Sequence, residues 1–150
     1  MPFEEKATWV SAVIGLLVPV VYFATVLPQL VDTPAADIAY QKPLIIAVVA
    51  SIILIIVGTI AMAIATAVGA EITGSGSVND IERTDERDVS IRRRGDVVAY
   101  YVASIGAVGA LILTMLEYDY FWIANTLYLS FVVAGFAAGI VKLRAYRRGF

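Results

Sequence analysis

The sequence contains neither cysteine nor histidine. The first absence excludes disulfides and thiol chemistry, and the two together exclude Cys/His metal sites and haem ligation through these residues. The commonest general base and the commonest strong nucleophile of enzymes are missing as well. We therefore expect a chain that is not an enzyme and that uses no metal and no cofactor.

Charge is scarce in this chain and unevenly distributed. Only 16% of the 150 residues are charged, whereas 60% are hydrophobic. Half of the charged residues fall within 71–96. The rest of the sequence contains four apolar runs, at 8–30, 44–70, 97–116 and 120–141. A membrane span needs about 20 predominantly apolar residues, and a helix satisfies every backbone group inside lipid. The prediction is one all-α domain over 1–150, an integral membrane four-helix bundle.

The first apolar run is expected to be a retained helix rather than a signal peptide. Its front end carries Glu4, Glu5 and Lys6 and is not basic. Its apolar stretch is also longer than that of a usual signal peptide.

Basic residues predict the orientation in the membrane. With four spans, the N-terminus, the loop 71–96 and the C-terminus share one side, which then holds every Lys and Arg except Lys42. Basic residues near span ends mark the cytoplasmic side. The predicted protein is multi-pass in the cytoplasmic (inner) membrane, with both termini and the charged loop in the cytoplasm.

The charged loop is predicted to form a cytoplasmic helix that leads through Gly95 into the third span. No Pro or Gly interrupts residues 80–94, and Asp88 precedes Arg92 by four residues, the favourable order for a helical ion pair. One interpretation is an anchor that fixes topology and solubility. The other is a docking surface for a protein partner, made by Asp85, Glu86, Arg87, Asp88, Arg92 and Arg94. Nucleic acid is not an expected partner, because five Arg face seven acidic residues in this loop.

The stretch Asp85-Glu86-Arg87-Asp88-x-x-Ile91-x-x-Arg94-Gly95, followed by an apolar run, carries a resemblance. It resembles small prokaryotic four-helix membrane proteins of unknown function that have a DER-x-x-x-I loop before the third span. The match covers about a sixth of the chain. The resemblance implies the four-span topology and no catalytic residue.

Small residues predict where helices approach closely in the membrane. Gly106 and Ala110 lie four apart in the third run, and Gly135 and Gly139 form a GxxxG in the fourth. Such spacings permit tight helix packing in lipid. The interface is either internal to the monomer or the contact of a homo-oligomer, and the spacing alone leaves both open.

The connection between the first two runs is expected to contain a short helical turn. Thr33 is the expected cap, and Pro34 suits the first helical position.

Two functions fit these features. The first is a non-enzymatic structural or regulatory subunit that acts through its charged cytoplasmic loop. The alternative is a small transporter or permease with a polar path between helices. Ser104, Thr114 and Asn125 are the candidate polar residues for such a path. No run carries a carboxylate in its middle, which disfavours proton-coupled export.

Overall fold

A computed structural model describes residues 3–73 and 86–148 of the chain. The α-helices within these residues are α1 (Phe3–Val26), α2 (Gln41–Thr73), α3 (Glu86–Met115) and α4 (Tyr120–Arg148). Two 3₁₀ helices, Leu27–Val31 and Ala35–Asp37, connect α1 to α2. The part of the predicted cytoplasmic helix before Glu86 lies outside the described residues.

Each of the four α-helices is long and apolar enough to cross a membrane. The helices extend past the apolar runs; α2 alone has 33 residues. At 1.5 Å per residue that is about 50 Å, so α2 must tilt or project beyond a hydrocarbon layer of about 30 Å. Large apolar side chains such as Leu17, Ile46 and Ile105 are exposed, as expected for surfaces that face lipid.

The helices pack in the order α2–α1–α4–α3. Extensive contacts join α2 to α1, α1 to α4 and α4 to α3, whereas other pairs of described α-helices touch only slightly. Accordingly, in the most apolar stretch of 18 residues of each helix, 17% of the residues are buried in α1 and in α4, but only 6% in α2 and in α3. Helices α1 and α4 therefore form the centre of the bundle, and α2 and α3 its edges.

One end of the bundle is held by aromatic side chains and is called the aromatic end. Its buried cluster is built from Tyr22, Val26, Ile38, Tyr40, Ala47 and Phe121. The Tyr40 ring meets the Phe121 ring edge to face, with centroids 5.4 Å apart. This cluster joins α1, the connection before α2, α2 itself and the start of α4, so it fixes three helices together.

The opposite end carries most of the basic residues and is called the basic end. Lys142 of α4 forms an ion pair of 2.9 Å with Asp96 of α3. The Arg147 guanidinium lies over the Trp9 ring of α1, 5.7 Å from its centre. Both neighbours of α4 are therefore attached to it at this end as well.

The connection after α1 contains a proline that explains where α1 ends. Pro28 has no N–H to donate and disfavours the α conformation of the residue before it. The α-helix accordingly ends at Val26 and continues as the 3₁₀ helix Leu27–Val31.

The short helical turn predicted for this connection is the 3₁₀ helix Ala35–Asp37, but Pro34 occupies its cap position and no side-chain hydrogen bond caps it. Thr33 is therefore not the cap.

Candidate functional site

The predicted contact residues lie on the first turns of α3. Glu86, Arg87, Arg92 and Arg94 are exposed and Asp88 is half-buried. Asp85 lies outside the described residues. Because α3 is one unbroken helix from Glu86 to Met115, these charges stand on a continuous extension of a helix that is long and apolar enough to cross a membrane. We call residues 86–94 the charged extension.

One face of the charged extension is anchored. Ile91 and Gly95 are buried and lie four residues apart, on the same side of α3. The aliphatic part of Lys142 packs against Gly95 so closely that a Cβ there would overlap it. The amino group of the same lysine donates a 2.9 Å hydrogen bond to Asp96. Gly95 therefore lets the end of α4 approach α3, which holds the extension in a fixed direction.

The small residues differ in how closely another helix approaches them: Gly106 lies in a tight contact, Gly139 is buried in an ordinary contact, and Gly135 faces open space. At Gly106 a Cβ would overlap the Ser130 side chain of α4, and Ala110 of the same helix is buried. A Cβ at Gly139 would meet only the methyl group of Ala12, at 3.8 Å. Gly135 has no atom within 4 Å of that position. The closest approach of two described helices at these glycines is thus between α3 and α4.

The three candidate path residues do not come together. The Ser104 hydroxyl donates to the carbonyl of Tyr100, and the Thr114 hydroxyl to that of Ala110. Both bonds stay within α3. Asn125 of α4 instead faces α1 and is buried. None of the three lines the large cavity described below.

Asn125 forms a hydrogen-bonded link between the central helices. Its Oδ1 accepts a 2.7 Å bond from the Tyr22 hydroxyl, and its Nδ2 donates to the Phe121 carbonyl at 2.8 Å. The Tyr22 ring also meets the Tyr128 ring edge to face, with centroids 5.2 Å apart. A polar pair is costly in lipid unless both members are satisfied. Here both are, which makes this contact a specific clamp between α1 and α4.

A cleft of about 740 Å³ opens between α1, α2 and α4. Small side chains of α1 line it at four-residue steps, namely Ala7, Ser11 and Gly15. The α2 side contributes Ser51 and Thr59, and the α4 side contributes Gly135 and Gly139, among others. Near the basic end, Asp96 and Lys142 reach the same cleft. The cleft exists because α2 and α4 both pack on α1 and hardly touch each other.

The Tyr128 hydroxyl is the least satisfied polar group of the cleft. It is buried and has no well-aligned hydrogen bond within the described part of the chain. The neighbouring Ser51 hydroxyl gives its hydrogen to the Ala47 carbonyl at 2.8 Å, so its oxygen remains an acceptor. The cleft thus combines apolar walls with a tyrosine hydroxyl that is able to donate and accept hydrogen bonds.

Sequence reasoning did not group these cleft residues. The signal that could have found them is the spacing of Ala7, Ser11 and Gly15, which places three small side chains on one face of α1. Their partners across the cleft, Ser51 and Tyr128, have no sequence signal, since their meeting depends on how α2 and α4 pack on α1.

Comparison with family models finds no match for this chain. No curated protein and no solved structure matches it significantly either.

Proposed function

We propose that this chain is a non-enzymatic, multi-pass subunit of a prokaryotic cytoplasmic membrane, structural or regulatory in role, that binds a protein partner through the charged extension. The observation that carries the proposal is the continuity of α3, which places the charged side chains of residues 86–94 on one regular helix, most of them exposed. Both termini and the extension lie in the cytoplasm in this proposal. The partner is a protein with a mixed-charge surface rather than a nucleic acid.

The chemistry of the extension supports a protein partner. Glu86 and Arg87 are exposed neighbours of opposite charge, and Asp88 follows them. Opposite charges fixed on one helix present an alternating potential, which favours complementary partners and repels mismatched ones. A rigid helix also loses little conformational entropy on binding.

Affinity purification from gently solubilised native membranes tests this proposal. The variant Glu86→Ala/Arg87→Ala/Asp88→Ala removes the proposed contacts while leaving the buried Ile91 and Gly95 in place. We expect one partner at constant stoichiometry with the wild type and at least about tenfold less of it with the variant, because charged contacts of this kind are each worth about 1 kcal/mol or more.

The matched control is Glu117→Ala/Asp119→Ala, which removes charges from the connection between α3 and α4 at the aromatic end. This control should capture as much partner as the wild type. Equal capture by all three proteins, or capture of copies of this chain alone, would contradict the proposal.

The cleft favours the alternative function, a small transporter or permease. Its polar path would run along Ser11, Ser51 and Tyr128 rather than through Ser104 and Thr114. Uptake of labelled organic solutes into proteoliposomes tests this alternative, with Gly15→Leu as the variant that fills the cleft. Transport by the wild type that is lost in Gly15→Leu would support it, and no flux of any tested solute would count against it.

A further inference from the structure

The face of α3 that points away from α4 carries arginine and tyrosine side chains around one shallow hollow. The hollow measures about 510 Å³. It is lined by Val89, Arg92, Arg93, Val97, Tyr100 and Tyr101, together with Asp96. These residues recur at steps of three and four, so they occupy one stripe of the helix. We call this stripe the Arg–Tyr face.

The charge of the Arg–Tyr face is positive. Arg92 and Arg93 are exposed, and neither forms an ion pair with another described residue. Asp96, the one acid that lines the hollow, is neutralised by Lys142 at 2.9 Å. Among the described residues, two guanidinium groups without an ion-pair partner therefore remain, side by side in sequence and at the rim of the same hollow.

The tyrosines set the depth of this face in the bilayer. Tyr100 and Tyr101 are 69% and 63% exposed, with ring centroids 5.7 Å apart. Exposed tyrosines at the end of an apolar span lie at the headgroup level, where the ring is in the hydrocarbon margin and the hydroxyl in water. Tyr100 follows Arg93 by seven positions, about 10 Å along the helix axis. Side chains on a helix lean toward its N-terminus, which brings the hydroxyls toward the arginines.

We infer that the Arg–Tyr face binds the phosphate headgroup of an anionic phospholipid. Arg92 and Arg93 bind the phosphate oxygens through charge-assisted hydrogen bonds, the tyrosine hydroxyls donate to the glycerol ester region, and Val97 contacts the first methylenes of the acyl chains. Because α3 is an edge helix whose one extensive contact with a described helix is with α4, its opposite face is open to lipid. The inference does not rest on the proposed function.

Native mass spectrometry of the purified full chain, titrated with phosphatidylglycerol or with phosphatidylcholine of the same acyl chains, tests this inference. The wild type should retain phosphatidylglycerol in preference to phosphatidylcholine. Arg92→Gln/Arg93→Gln should lower the apparent affinity for phosphatidylglycerol by about tenfold or more, since each arginine at an anionic surface contributes substantially. Arg87→Gln/Arg144→Gln removes the same charge elsewhere and should change that affinity by less than about twofold.

A second variant keeps the test decisive if the glutamine variant does not fold. Arg92→Lys/Arg93→Lys preserves the charge but not the planar fork that binds two phosphate oxygens. We therefore expect it to lower the apparent affinity for phosphatidylglycerol, but by less than the tenfold expected of the glutamine variant. Equal retention of the two lipids, equal losses in the glutamine variant and its control, or displacement by inorganic phosphate at the lipid's own concentration would overturn the inference. Unchanged lipid binding by Arg92→Gln/Arg93→Gln together with loss of a protein partner would also overturn it, because it would assign these arginines to that partner.

Discussion

At the residue scale, the bond between Tyr22 and Asn125 is the most specific polar contact between two helices of the described structure. It joins residues that are 103 positions apart, and both side chains are buried. We expect Tyr22→Phe to lower the free energy of unfolding by about 1 kcal/mol, because the Asn125 oxygen would lose its partner in a place that water does not reach.

Tyr128→Phe is the matched control for that substitution. It removes the same atom from a ring in contact with Tyr22, but the Tyr128 hydroxyl has no well-aligned hydrogen bond within the described residues and only a weak contact with Ser51. Its effect on thermal unfolding in detergent should be near zero or stabilising. A larger loss from Tyr128→Phe than from Tyr22→Phe would contradict this account of the clamp.

Glu117 adopts a backbone conformation that suits glycine better. Its φ is 57°, in the left-handed region. The Tyr118 N–H donates to the Leu113 carbonyl at 3.0 Å and the Glu117 N–H to the Thr114 carbonyl at 3.1 Å. These two bonds form a Schellman motif, in which glycine is the usual residue at this position.

We expect Glu117→Gly to raise the free energy of unfolding by roughly 0.5 to 1 kcal/mol, because it relieves the clash of Cβ with the backbone. Glu117→Ala keeps that clash while removing the carboxylate, so it should give no such gain. Thermal unfolding of the three proteins in one detergent measures the difference. A gain from alanine equal to that from glycine would show that charge, not backbone conformation, is responsible.

At the element scale, α3 and α4 form the tightest pair of helices, and Gly106 is where they meet. A Cβ at Gly106 would overlap the Ser130 side chain and lie 3.2 Å from the Ser130 Cα, which belongs to the backbone of α4. We expect Gly106→Ala to destabilise the protein by about 1 to 3 kcal/mol, the usual cost of overpacking. The measurement is the midpoint of thermal unfolding in detergent.

Gly135→Ala serves as the control, since no atom lies within 4 Å of its Cβ position. It should leave the midpoint unchanged or raise it slightly, because alanine is the better helix former. If both substitutions cost the same, the cost would reflect general loss of small residues and not the contact between α3 and α4.

The helices themselves could be predicted from the sequence, and their packing order could not. Lipid provides no hydrogen-bond partners, so the backbone of a long apolar run satisfies its own polar groups by forming a helix. The helix ends differ from the apolar runs because charged residues such as Glu86 and Arg92 also favour helix beyond the lipid. The order α2–α1–α4–α3, and with it the cleft, depends on pairs such as Tyr22 with Asn125, and sequence spacing says nothing of such pairs.

At the scale of the whole molecule, the two ends of the bundle differ in character. Aromatic packing closes the aromatic end around Phe121, while the basic end carries the charged extension and the Arg–Tyr face. The proposed partner contact needs the basic end on the cytoplasmic side, whereas the lipid contact could form on either side. The Arg–Tyr face shares Arg92 and Arg93 with the charged extension. Bound anionic lipid would therefore occupy these two arginines, leave residues 86–88 to the protein partner, and fix the depth at which the charged extension leaves the membrane.

The most direct test of this account uses the absence of native cysteine. Single cysteines are placed at Arg87 and Arg144 of the basic end and at Asp37 and Glu117 of the aromatic end. Each variant is treated in intact and in opened cells with a maleimide that does not cross membranes. We predict labelling at 37 and 117 in intact cells, and at 87 and 144 only after the cells are opened. Labelling of position 87 in intact cells would place the charged extension outside the cytoplasm and contradict the account.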